Sequence, residues 1–320
     1  MTYKYSSQVE SEYGLKGPLA FDQIHNGPDN DVFIVTDFKN TNYVLRQSKR
    51  LGKNAMFEME VLTKLAQVSF LSPEPLQTKS KAFLINIDKI QLVLFTYIKG
   101  TQIPQLGTEH LETDVIERGA KKLGELHSLT KNIKVSDIPS RTIFTEYDRL
   151  LALDMEKLKP FKDFEILLDQ VKDFYSKAES RIKGGKELYG VIHNDYGIQN
   201  LIYIKDDCYI IDFDWACYGP LLKDLGLAVA IWPLYSKDGV PSRTIIDRFL
   251  KSYNETAPQT VAYDKDLIFW VCFACLSDTC TFITDTVQNN YKYGEKAIND
   301  VEQCRMYKKF EYFYKELKNK

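Results

Sequence analysis

The chain has no surplus of either charge: 42 Lys and Arg stand against 44 Asp and Glu, a net charge of −2 over 320 residues. Bulk nucleic-acid binding needs a basic footprint, so that class is set aside. No apolar run of membrane-spanning length stands out, and the polar N-terminus lacks a signal-peptide pattern. The expectation is a cytoplasmic protein with no membrane partner. Cysteine is scarce and confined to the last third, at positions 208, 217, 272, 275, 280 and 304. Cys272 and Cys275 form a C-x-x-C, but the Phe273-Ala274 between them belongs to an apolar helical run, and no second pair stands at zinc spacing. Free, buried thiols in a reducing compartment are the reading. The pattern G-x-x-x-x-G-K-[ST] is absent, which argues against a P-loop enzyme. There is no internal repeat, low-complexity tract or long linker.

What is present is enough apolar residue, 44% of 320, to bury a large core in two lobes. Gly14, Gly17 and Pro18 punctuate a short leading element. Val32 to Val35 and Tyr43 to Arg46 read as two strands joined by a polar turn. Asn54 to Val68 reads as a helix, with Met56, Met59, Leu62 and Leu65 at three-residue steps. Lys81 to Asn86 and Ile90 to Ile98 form a second strand pair, ended by Lys99-Gly100. Thr113 to Leu129 starts a mostly helical remainder. The expected division is residues 1–98 and 99–320.

The most informative stretch is His193-Asn194-Asp195 with Asn200, followed by Ile211-Asp212-Phe213-Asp214. It reads H-x-D-x-x-x-x-N and then I-D-F-D. Leu201 to Ile204 and Cys208 to Ile211 are strand-like and flank the turn Lys205-Asp206-Asp207. A hairpin of that length returns Asp212 to the end of the ribbon where Asn200 stands. Phosphoryl transfer needs an acceptor hydroxyl held in line, a carboxylate to take its proton, and divalent metal to neutralise the phosphates. Asp195 is the candidate for the proton. Asn200, through its carbonyl oxygen, and Asp212 are the candidates for Mg²⁺, which takes hard oxygen ligands. Asp214 reads equally as a second metal ligand or a strand-end cap. Any one of these side chains alone would more often be a turn residue; the ordered set carries the inference.

Arg46 shares a strand face with Val44, since side chains alternate. It stands where kinases place a Lys that grips the phosphates of ATP. Glu58 and Glu60 on the following helix could both brace it, or could simply be exposed.

These motifs resemble the aminoglycoside phosphotransferase and choline kinase superfamily, including its homoserine kinase-like members, from about Gly17 to Ser277. The resemblance implies an α+β, bilobal, protein-kinase-like fold: a small antiparallel-sheet lobe with one helix, and a larger mainly helical lobe. It implies ATP and Mg²⁺ as cofactors and a small-molecule hydroxyl acceptor. It assigns catalysis to Asp195 and metal to Asn200 and Asp212. Its G-x-x-N-x-V-[YF] pattern fits Gly27 to Phe33, which places Gly27 and Asn30 at the nucleotide. Its E-x-x-x-L-x-x-L pattern selects Glu58. Its hinge falls at the Thr96 carbonyl and the Ile98 N–H, which would read the adenine edge. His193 would fix the catalytic loop, and His127 would pack in the core with one hydrogen bond. Asp224 matches an Asp that braces the loop, although a helix N-cap accounts for it as simply and is preferred. D-F-D in place of D-F-G, with no A-P-E after it, points away from protein serine/threonine kinases.

For the acceptor, Asp278 and Asp285 fall on one face of a helix over 266–289, with Trp232 nearby in sequence. Carboxylates and aromatic faces suit an amine-bearing alcohol. An aminoglycoside is the leading type; choline, ethanolamine and homoserine are alternatives. No Arg lies within 266–289 to receive a carboxylate-bearing acceptor. A nucleotide-binding module without turnover is the reading from outside enzyme chemistry.

Overall fold

The computed structural model describes residues 3–26, 30–48, 54–103, 112–136, 139–232, 241–288, 301 and 304–320. In chain order the elements are α1 (Ser6–Tyr13), β1 (Ala20–Asn26), β2 (Asn30–Thr36), β3 (Asn42–Ser48), α2 (Asn54–Gln67), β4 (Leu84–Ile87), β5 (Ile90–Thr96), β6 (Thr101–Gln102), α3 (Thr113–Thr130), α4 (Thr145–Leu151), α5 (Met155–Leu158), α6 (Phe164–Lys183), β7 (Tyr189–Ile192), β8 (Leu201–Tyr203), β9 (Cys208–Ile210), β10 (Cys217–Pro220), α7 (Leu221–Ile231), α8 (Arg243–Asn254), α9 (Lys265–Val287) and α10 (Arg305–Asn319). They fall into two compact units. The first comprises Met1–Gln102, Lys134–Ser140 and Ile202–Asp214; the second comprises Ile103–Ile133, Arg141–Leu201 and Trp215–Lys320. The boundary expected at residue 98 falls just before β6. The first unit runs past it and takes in two later segments.

The first unit is built on an antiparallel sheet in the order β1-β2-β3-β5-β4. Alternation decides what each face carries. Leu45, Leu92 and Leu94 face α1 and cluster with its Val9 and with Tyr5 just before it. Arg46, next to Leu45, therefore points to the opposite face. The leading segment is thus a helix packed on the sheet, a second helix beyond the one expected. In α2 the buried stripe runs through Ala55, Glu58, Met59, Leu62 and Leu65, with Phe57 and Val61 beside it. Met56, expected on that stripe, is exposed. Gly100 approaches β8 so closely that a Cβ would stand 2.5 Å from the Tyr203 carbonyl oxygen. Only glycine fits there, where β6 turns in to pair with β8.

The second unit is organised around α9, which packs against α7, α10 and α4. This helix corrects the expectation that no span-length apolar run exists. It is 23 residues long, with a window of mean hydropathy 1.7, and 83% of that window is buried inside the protein. It is a core helix, apolar over most of its surface because most of it is covered, with Ser277 and Asp278 left facing the pocket described below. β7 and β10 form an antiparallel pair that leads into the HND segment on one side and α7 on the other.

All six cysteines are free and buried. Burial pushes the Cys217 thiol up to about 12 and raises those of Cys272, Cys275, Cys280 and Cys304. A protonated, covered thiol is inert. A chromogenic disulfide reagent should therefore titrate no thiol rapidly in the folded protein and six in denaturant. Rapid labelling of two or more thiols in the folded protein would contradict this packing.

Candidate active site

Each unit carries its own share of the predicted residues. In the first, Arg46 and Glu58 meet on the face of the sheet away from α1. Arg46 Nη1 donates to Glu58 Oε1 at 2.8 Å, and Nη2 donates to Oε2, a bidentate fork buried on both sides. Glu60 instead accepts from Ser136 and pairs with Lys64. The brace is thus Glu58. Burial alone would depress the Arg46 guanidinium, but Glu58, with Asp214 and Asp212, outweighs it and holds the group above its ordinary range. Burial raises Glu58, against the pull of Arg46. Nη1 also lies 3.8 Å from Asp212 Oδ1. The Arg46 Nε–H is buried without a partner, an orphan donor of the kind a phosphate oxygen would satisfy.

Asp212 sits two residues beyond β9 with φ +66°, a left-handed conformation that costs a non-glycine residue energy and collects at functional sites. Its side chain is 44% exposed. Desolvation raises its carboxyl, Arg46 lowers it, and Glu58 raises it again. Asp214 is tied back by two asparagines. Asn30 Nδ2 donates to its carboxylate at 3.3 Å, and Asn54 Nδ2 donates to its carbonyl. Asn30 also accepts from Ser48 Oγ at 2.8 Å, so it buttresses the strand ends. Thr96 closes β5, where its hydroxyl accepts from the Glu74 N–H at 3.0 Å. Ile98 follows, half-buried. Gly27 lies outside the described residues.

In the second unit the HND segment is held from below by one buried carboxylate. Asp224, in the first turn of α7, accepts the His193 N–H and the Asn194 N–H, each at 2.8 Å. It also meets His127 Nε2 at 3.2 Å, while His127 Nδ1 meets the Tyr253 hydroxyl at 2.8 Å. The bland assignment of Asp224 as a helix cap is therefore corrected: it braces the loop. His127 makes two contacts rather than one. Burial would raise the Asp224 carboxyl, but His127, His193 and Lys223 outweigh it and hold it below its ordinary value. The next residue back, Lys223, donates to the Asn194 side-chain oxygen, and Asn194 Nδ2 donates to the Trp215 carbonyl at 3.1 Å. Asn194 needs this support because its φ is +66°. The His193 ring accepts the Asp195 N–H at 3.3 Å.

Asp195 and Asn200 are in direct contact. Asn200 Nδ2 donates to the Asp195 carbonyl at 2.8 Å and to its carboxylate at 2.9 Å. With the amide nitrogen so used, the Asn200 carbonyl oxygen is the atom left for a cation. That oxygen in the second unit and the Asp212 carboxylate in the first are each hard oxygens, of the kind a divalent metal takes.

A pocket within this unit is lined by Asp195, Arg141, Glu146, Trp215, Lys223 and Asp278, among others. Of the three acceptor residues expected, it includes Asp278 alone. Asp285 is buried and accepts from Arg149 at 2.7 Å. Trp232 is fully buried, stacks on Tyr196 and donates its indole N–H to the Tyr196 carbonyl. Gly119 makes room for it: a Cβ there would fall 2.1 Å from the indole ring. Both expectations are corrected for the same reason: each side chain is buried and engaged in the core, and neither lines the pocket. Arg141, Glu146 and Lys223 were not foreseen. Lys223 stands next to Asp224 in the sequence, but Arg141 lies before α4 with no local pattern to mark it.

A family model of the phosphotransferase enzyme family matches residues 21–258. The chain belongs to that family. It is an enzyme, a small-molecule kinase that acts on a hydroxyl group. As a member it is 23% identical over 258 residues to a homoserine kinase of Methylobacterium nodulans, covering 78% of this chain and 75% of that one. The solved structures it resembles include an amicoumacin kinase in complex with AMP-PNP, Ca²⁺ and Ami, at a TM-score of 0.67 and 15% identity over 98% of this chain and 92% of that one. A microcompartment-associated aminopropanol kinase matches at 0.66 and 16% identity, over 96% and 93%. An ethanolamine kinase of Plasmodium vivax matches at 0.64 and 17%, over 95% and 87%. The fold is α+β and protein-kinase-like.

Removing one partner of a buried pair strands the other. Glu58→Ala should therefore destabilise the first unit by about 3 kcal/mol or more in urea unfolding. A loss below about 0.5 kcal/mol would place the pair at the solvent-exposed end of the scale and contradict its burial.

Proposed function

We propose that this kinase transfers the γ-phosphoryl group of ATP to the hydroxyl of a small, amine-bearing molecule, with Mg²⁺ as the metal. The observation that carries the reading is the Asp195–Asn200 contact on a loop clamped by Asp224, with Asp195 facing a pocket that also holds Asp278. In the reaction the acceptor oxygen bonds to the γ-phosphorus as the bond to the β,γ-bridging oxygen breaks. The acceptor proton passes to the Asp195 carboxylate, and ADP leaves. When bound, the metal neutralises phosphate charge; Asn200 Oδ1 and the Asp212 carboxylate would hold it. Arg46, fixed by Glu58, steadies the phosphates, and Gly27, Asn30, Thr96 and Ile98 serve the nucleotide. Asp278 supplies a carboxylate for the amine of the acceptor. The relatives are kinases named for an antibiotic, for amino alcohols and for an amino acid, and the acceptor types they suggest are an aminoglycoside, choline, ethanolamine or homoserine. The near-neutral charge and buried free thiols support work in a reducing cytoplasm, without nucleic acid or membrane as partner.

ADP release from ATP and Mg²⁺, measured over a panel of hydroxylated amines and amino acids, should reveal an accepted substrate. Asp195→Ala should lower that turnover by about 10²–10⁴-fold while nucleotide affinity holds. Full turnover in this variant would remove Asp195 from the chemistry.

A further inference from the structure

Beside Asp195 the pocket carries two cationic side chains, Arg141 and Lys223. Their presence bears on which acceptor can enter. The Arg141 guanidinium lies over the Trp215 ring, its carbon 3.9 Å from the ring centre. Nη1 donates to Glu146 Oε1 at 2.9 Å, and the side chain is 23% exposed. A guanidinium has five N–H donors, and this contact uses one. The group is therefore held in position by a ring face and one carboxylate oxygen, with donors to spare.

Glu146 does not cancel Arg141 for a ligand's purposes. It is buried, and its other oxygen accepts from Arg149 at 2.5 Å and Thr281 at 3.1 Å. Arg149 in turn bonds Asp285. That carboxylate is spent inside the protein. Lys223 is buried as well and is directed to Asn194. Asp278 is then the one pocket carboxylate besides Asp195 and Glu146. A polyamine would have to place several positive charges beside Arg141 and Lys223. A molecule with one positive and one negative group meets no such repulsion. Arg presents a planar fork that matches a carboxylate.

We propose that Arg141, backed by Trp215 and Glu146, is a specificity-determining residue, and that the acceptor is a hydroxylated zwitterion whose carboxylate meets Arg141 and whose ammonium meets Asp278. The proposal rests on the kinase reading above and narrows it. The Arg that the α9 region lacks is supplied from the segment before α4.

The test compares amino acids with the same molecules lacking only the carboxylate: L-homoserine against 3-aminopropan-1-ol, L-serine against ethanolamine, and L-threonine against 1-aminopropan-2-ol. Kanamycin and choline complete the panel. ADP release by the wild-type full chain should favour at least one amino acid over its partner by about 10- to 100-fold in kcat/KM, the worth of a charge-assisted hydrogen-bond pair. Arg141→Met should shrink that ratio towards one, mainly through the amino acid's KM. Arg141→Lys, which keeps a charge for Glu146 and so guards against loss of folding, should shrink it partly. General structural damage would lower both members of a pair and leave the ratio standing. Preference for the amino alcohols, choline or kanamycin would overturn this proposal and leave the kinase reading intact. A ratio untouched by Arg141→Met, with the loss falling on the KM for ATP, would overturn it too. No acceptor-stimulated ADP release anywhere in a panel widened to other alcohols would bring down the kinase reading itself, and this proposal with it.

Discussion

The second unit's chemistry depends on one buried carboxylate. Asp224 takes two backbone N–H groups from the loop that carries Asp195 and a ring nitrogen from α3, with no exposure to water. A carboxylate can accept all three; no neutral side chain of its size can. Hydrogen bonds to the ionised form keep the group charged despite burial. A carboxyl held low in the folded state keeps its bonds at every pH above the ordinary carboxylate range of about 4, and loses them only as pH falls through the lowered value. The brace is therefore complete at neutral pH. It fixes the backbone at Asn194, where the chain adopts a left-handed turn, and delivers Asp195 into contact with Asn200. Lys223, one residue earlier on α7, clamps the Asn194 side chain. One helical turn thus holds both the backbone and the side chain of the loop.

The first unit uses a different device. Strand alternation puts Leu45 into the apolar layer under α1 and Arg46 on the other face, where α2 brings Glu58. The cost of burying an arginine is met by a bidentate carboxylate, with Asp212 and Asp214 adding to the field. Arginine in place of lysine keeps its charge under these conditions and offers a flat fork rather than a point charge. Asn30 and Asn54 then tie Asp214 to the sheet and to α2.

How much of this was legible depended on the range of each interaction. The Asp195–Asn200 pair, the strand carrying Arg46 and the helix carrying Glu58 all leave short-range patterns, and each was readable. Asp224 was read as a cap because a helix start and a loop brace demand the same residue type; the difference lies in His127, His193 and Asn194, distant in sequence. Trp232 and Asp285 were read towards the ligand from their residue types, yet packing against Tyr196 and pairing with Arg149 decide their place. Periodicity misplaced Met56 because Glu58, a polar residue, occupies the buried stripe. Arg141 was out of reach altogether. Glu146 stands only five residues away, but nothing in that window marks the pair, and Trp215, whose ring the guanidinium covers, is brought in by tertiary contact.

The central claim is that the Asp224 brace holds Asp195 ready for phosphoryl transfer. Asp224→Asn tests it most directly, because the amide nearly conserves shape but must turn an N–H₂ towards a backbone N–H. Acceptor-stimulated ADP release should fall at least about 100-fold, with nucleotide affinity changed by less than about threefold. Turnover within about threefold of wild type would show that the loop holds itself, and would contradict the account.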